Sequence, residues 1–110
     1  MIIDRQDNIT IVTQEKASIP EMVTRMEDAY NVFKNDNVIV NLSVLNTITL
    51  EHMLEFLRLS NKHRKAKHSF VIVNDSVNVN KTPDELVIVP TLQEAYDIIE
   101  MEEMERDLGF

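Results

Sequence analysis

Few side chains in this 110-residue sequence have the type and spacing for bond-making chemistry. The histidines, His52, His63 and His68, form no His-x-His and no i, i+4 pair. A metal site needs several converging donors, so no metal is expected, and all three histidines are expected at the surface. Ser43, Ser60, Ser69 and Ser76 are candidate nucleophiles, but no glycine-flanked nucleophile turn surrounds any of them. Cysteine is absent. That removes thiolate nucleophiles, disulfides and cysteine-based zinc sites, and it fits a reducing compartment. Gly109 is the only glycine. Loops that cradle phosphate need glycine so that the backbone can approach the ligand, so neither a Walker loop nor a dinucleotide fingerprint can be written. Clustered carboxylates occur only in the acidic C-terminal stretch, which reads as solvated. No cofactor is expected, and a small-molecule enzyme is disfavoured.

Charge is the next source of function. The formal net charge is −8, which on average repels nucleic acid and anionic lipid. Within that acidic background Arg58, Lys62, Arg64, Lys65 and Lys67, with His63 and His68, make a basic segment. No aromatic residue interleaves these cations to stack on bases, so the segment is expected to be a solvated helix end whose charges suit the helix dipole. Glu94 to Asp107 carries seven acids and one arginine, Arg106. This stretch could pair with the basic segment, within one molecule or between two.

The elements that must position these groups follow from the hydrophobic pattern. The length suits one domain spanning 1–110. Asp4 and Arg5 interrupt any signal peptide, and no apolar run reaches the about 20 residues of a membrane span, so a cytoplasmic protein is expected. Met1–Asp4 and Ile9–Thr13 read as strands joined by a turn at Asp7 and Asn8. Ser18, Pro20 and Glu21 predict a capping box opening a helix over 19–34. Val38–Leu42, Ser69–Val73 and Leu86–Val89 read as strands, the first with the unbroken apolar character of a parallel-sheet centre. Thr49 is placed to cap a helix that runs into the basic segment. Asn74–Asp84 reads as a loop. Thr91 to Glu94 is a second capping box, and the helix it opens continues into an acidic extension over 99–110. The resulting order, β-β-α-β-α-β-β-α, predicts an α/β fold with a mixed, mostly parallel sheet and helices packed against it.

The stretch from Asn37 to Leu57 resembles the STAS domain, the sulfate-transporter and anti-sigma-factor-antagonist family. Asn41-Leu42-Ser43, followed by Leu45, Thr47 and Ile48, is similar to the family's approach to its Asp-Ser-Ser/Thr-Gly motif. Val89 to Ala95 is similar to its last strand and helix. The resemblance implies a STAS-like fold and a habit of binding regulatory proteins, such as an anti-sigma factor, in a bacterial circuit. It does not carry the family's phosphoserine switch. The motif aspartate falls on Thr49, the phosphorylatable serine on Leu50, the next hydroxyl residue on Glu51 and the glycine on His52.

Functional groups in parallel α/β sheets gather at the carboxyl ends of the strands. That rule places a partner-binding rim at Thr47, Thr49, Leu50, Glu51 and His52, with Asn74, Asp75 and Ser76 beside it. Met101, Met104 and Leu108, with Phe110, form a second candidate interaction surface. Methionine stripes make adaptable contacts, and the spacing sets this one a residue or two round from the Leu92–Ile99 face. It either packs on the chain's own sheet or reaches a partner or a second copy, so a homodimer is open. The function expected is a non-catalytic protein–protein interaction domain. The alternative is an accessory, RNA-binding partner of a tRNA-processing nuclease. Small STAS-like chains are sometimes labelled as ribonuclease Z, but the metal ligands of that enzyme are missing here.

Overall fold

Apolar runs with no polar interruption, such as Val38-Ile39-Val40 and Phe70-Val71-Ile72-Val73, cannot form strands with a wet face. Successive side chains point to opposite sides, so both faces must be covered. The computed structural model, which describes residues 1–15, 18–46 and 48–109, places them in this way. The chain is an α/β protein whose five strands lie in the order β1 (Ile2–Gln6), β2 (Ile9–Thr13), β3 (Asn37–Asn41), β4 (Phe70–Val73) and β5 (Val87–Val89). β1 runs antiparallel to β2, and β2 to β5 are mutually parallel.

The register sorts the side chains into two cores. Val12, Val40, Ile72 and Ile88 align on one face. They pack under α1 (Ile19–Asp28), α2 (Tyr30–Phe33), α3 (Leu50–Leu54) and α4 (Leu57–Lys65). Ile11, Ile39, Val71 and Val87 align on the other face, with Val73 and Val89, and meet Leu92, Ala95, Tyr96 and Ile99 of α5 (Leu92–Asp107). Among the described residues, no helix is long and apolar enough to cross a membrane.

Several local expectations need correction. The helix expected over 19–34 is broken at Ala29, which leaves helical geometry at φ −94° and ψ 8°. The break brings the Tyr30 and Phe33 rings edge-on to each other and to His63. Ser18 forms no side-chain cap. Its ψ of 84° departs from the extended conformation seen at Thr49 and Thr91, and Glu21 bonds Arg25 instead. Thr49 and Thr91 do accept from the amides of His52 and Glu94. The helix after Thr49 is also interrupted, at Glu55 and Phe56, where the Phe56 ring enters the core beside Phe70.

His63 is not a surface histidine. It is fully buried, on the same face of α4 as Leu59 and Ser60. Its Nε2 lies 2.6 Å from the Asp36 carbonyl oxygen, which can only accept, so Nε2 carries the proton. Nδ1 then accepts from the Tyr30 hydroxyl at 2.8 Å. The Asp36 carboxylate binds Thr10 Oγ1 at 2.9 Å and Arg5 Nε at 2.8 Å. This knot ties β1, β2 and α4 together.

Burial holds the His63 imidazole below the usual histidine pKa, because an imidazolium there would lose its water. The unfolded chain therefore takes up the proton at a higher pH than the folded one. Stability from neutral His63 is present near neutrality and is lost as pH falls through the window between the two values. Urea unfolding between about pH 7 and pH 5 should show a steeper fall for the native chain than for His63→Gln. Equal slopes would mean that the buried imidazole titrates as freely as in the unfolded chain.

Candidate functional site

The carboxyl ends of β3 and β4 feed two loops, and one side chain joins them. Asn74, directly after β4, is buried. Its Nδ2 donates to Leu42 O at 3.0 Å and Leu45 O at 2.8 Å in the β3–α3 loop. Its Oδ1 accepts from Ser76 N, Ser76 Oγ and Val77 N in the β4–β5 loop. Both ends of the amide are thus satisfied by loop groups that no strand or helix serves. At the β3 side, Asn41 Oδ1 accepts from Ser43 N at 3.2 Å and tightens the first turn.

The same rim carries the start of α3. Thr49 Oγ1 accepts from His52 N, and His52 Nδ1 accepts from Thr49 N at 3.1 Å, a reciprocal cap with histidine in the place usually taken by an acid. Leu50 is half-buried, and Glu51 is exposed in the first turn, where a negative charge suits the helix dipole. Asp75, Ser76 and Asn46 are also exposed. Thr47 lies outside the described residues. The structure therefore brings Thr49, Leu50, Glu51 and His52 to the same end of the sheet as Asn74, Asp75 and Ser76. It divides them by role: Asn74, Thr49 and His52 hold the rim together, while Glu51, Asp75 and Ser76 face water.

Two features of this rim escape the sequence reading. Val44 stands 63% exposed between β3 and α3, an apolar tip on the loop. Beyond the end of β2, a cavity of about 350 Å³ is lined by Thr13, Gln14, Ser18, Glu21, Met22 and Arg25, among others. The rule that placed the rim after β3 applies equally to β2, so its position was available from topology.

The remaining candidates land elsewhere. Met101, Met104 and Leu108 are 49%, 59% and 71% exposed. At about 100° per residue they fall on the side of α5 opposite Ile99. The stripe does not pack on its own sheet. Phe110 lies outside the described residues. The reason for the phase is that polar residues, not methionines, carry the second half of α5 against the sheet. Arg64 binds Glu102 at 3.1 Å, Glu103 bonds Asn8 and Asn37, and Arg106 reaches Asn37 Oδ1 and Ser69 Oγ. The acidic stretch is therefore not wholly solvated. Its pairing with the basic segment occurs within the molecule.

Nor is the basic segment uniformly solvated. His63 is buried, Arg64 is bound to Glu102 and to Phe70 O at 3.0 Å, and Lys62 Nζ sits 4.2 Å from the Tyr30 ring centroid. Of the serines, Ser60 and Ser69 are fully buried. Among the described residues, no group of histidines and carboxylates could hold a metal ion.

A scan against protein-family models finds no match, and a search of curated proteins finds no relative.

Removing the Asn74 amide strands the Leu45 carbonyl and two loop amides at once, while Leu42 O keeps its bond from Leu45 N. Asn74→Ala should cost about 2–3 kcal/mol in urea denaturation, the scale for buried polar groups left unpaired. Ser76→Ala, which keeps the backbone bond to Asn74, should cost no more than about 1 kcal/mol. Equal, small losses for both would show that the clamp contributes nothing.

Proposed function

We propose that this chain is a non-catalytic protein–protein interaction domain of STAS-like design, and that its partner docks on the rim formed by the β3–α3 and β4–β5 loops. The observation that carries the reading is the Asn74 clamp. It spends a buried side chain on stiffening two surface loops, which keeps Val44, Glu51 and Asp75 in a fixed arrangement. A preorganised surface loses less entropy on docking than a loose one. The STAS-like assignment draws support from the parallel strands β2 to β5 with an antiparallel β1, from Asn41-Leu42-Ser43 leading into the helix at Leu50, and from the closing helix after Val89.

The rim's chemistry describes the partner. A rim that exposes Val44 together with Glu51 and Asp75 suits a surface with an apolar pocket and basic neighbours, as on a regulatory protein of the anti-sigma-factor kind. Position 50 has no hydroxyl, so phosphorylation there cannot switch docking. Glu51, one residue on, supplies a negative charge that needs no modification, and control passes to expression or to a second input. The RNA-binding alternative loses support, because Arg64 and Lys62 are engaged within the molecule.

Affinity capture from native lysate tests the reading. Val44→Glu combined with Glu51→Lys and Asp75→Lys should abolish capture of a specific protein while leaving circular dichroism unchanged. Met101→Glu with Met104→Glu should retain it. Capture unaffected by the rim changes, or salt-sensitive retention of tRNA on filters, would contradict the proposal.

A further inference from the structure

The sheet has two edge strands, β1 and the three-residue β5, and the β1 edge has a polarity that can be worked out bond by bond. Asn37 N donates to Asn8 O, and Gln14 N donates to Asn41 O. The even-numbered residues of β2 therefore bond toward β3, and the odd-numbered Ile9, Ile11 and Thr13 turn toward β1. Their register partners are Gln6, Asp4 and Ile2. The backbone N–H and C=O of Ile3 and Arg5 are left pointing outward, with no partner among the described residues.

An outward row of this kind is a template for another strand, and folded proteins usually blunt it with lysine, proline or a bulge. β1 has no lysine or proline, its register with β2 is unbroken, and of its two charged residues Arg5 is paired with Asp36, leaving Asp4. All five of its residues are exposed, and Met1, Ile2 and Ile3 make one end of it apolar. Its position is fixed from below, since Arg5 is held by Asp36.

We propose that this edge pairs with the same edge of a second copy, antiparallel, about a two-fold axis at Ile3, to give a continuous ten-stranded sheet. The alternatives are few, because only residues with outward bonds can form the hydrogen-bonded pairs. An axis at Asp4 sets Asp4 against Asp4 of the second copy, and an axis at Arg5 sets arginine against arginine. Like charges directly opposite are destabilising. Among the described residues, an axis at Ile2 leaves an overlap of only three. The axis at Ile3 pairs Ile3 with Ile3, Arg5 with Met1 and Ile2 with Asp4, sets no like-charged side chains opposite each other and engages the outward groups of both Ile3 and Arg5. This self-complementarity argues for a second copy over an unrelated peptide. The interface is small, at the low end for specific association, so the dimer is weak and reversible. β2 of the second copy runs opposite to β2 of the first, so the two partner-binding rims project from opposite ends and both remain open.

Sedimentation velocity should show a reversible monomer–dimer equilibrium with a midpoint of roughly 1–100 μM. Ile3→Pro removes an N–H that bonds nothing within the protomer, at an edge position where proline is tolerated. It should be monomeric throughout, with unchanged circular dichroism and thermal midpoint. Should proline disturb the hairpin, Ile3→Arg opposes two guanidinium groups on the axis and should give the same monomer. Because the chain has no cysteine, a nitroxide on Ile3→Cys reports the pairing directly, by dipolar broadening that is lost on dilution. A native chain that is monomeric at every concentration overturns the proposal. So does a dimer unaffected by Ile3→Arg but lost in Met101→Glu with Met104→Glu, which would place the contact on α5.

Discussion

β3 and β4 are apolar on both faces, and this constraint sets everything else in the molecule. A strand such as Phe70–Val73, buried at every position, must be covered above and below. The helices on one side and α5 on the other are the two covers. Parallel pairing of β2, β3, β4 and β5 follows from the helices and loops that cross between them. All their carboxyl ends then collect at one end of the molecule. The rim is a consequence of how the apolar core is enclosed before it is a feature of any one loop.

The two ends of the sheet are finished differently. At the amino ends of the parallel strands, Asn37 sits at the centre of a polar lattice. It bonds Glu103, receives Ser69 N at 2.8 Å and meets Arg106, while Arg64 and Glu102 form a second tie nearby. Acids and cations that would otherwise face water are used there to seat the last turns of α5. At the carboxyl ends, Asn74 performs a similar service with a single amide but leaves the charges of Glu51 and Asp75 free. Asn37, Glu103 and Arg106 at the amino end are committed to internal bonds, whereas Glu51 and Asp75 at the carboxyl end are exposed, which is why docking is proposed at the second.

Much of this arrangement was legible in the residues. The unbroken apolar runs announced strands covered on both faces, Thr49 and Thr91 announced helix starts, and the parallel reading placed the rim near position 50. What was hidden was hidden for physical reasons. His63 lies among Lys62, Arg64 and Lys65, and those neighbours mask its membership of the Phe56, Leu59, Ser60 face that enters the core. Whether Met101 and Met104 pack on the sheet was left open by the sequence, and Glu102, Glu103 and Arg106 look like solvent-facing residues. Those three turn to the sheet because a polar edge of it awaits the second half of the helix. The Ser18 cap failed on a single backbone angle, which no side-chain pattern encodes. The Asn74 clamp joins groups about thirty positions apart in sequence, and only the fold brings them together.

Everything functional in this account leans on the rim being rigid before any partner arrives. Native-state amide hydrogen exchange tests that most directly. The Ser76 and Val77 amides lie in a polar surface loop, yet both bond to buried Asn74 Oδ1, so they should exchange nearly as slowly as the amides of β4. Exchange at the rate of an unstructured loop would mean that these segments move freely and that no preformed docking surface exists.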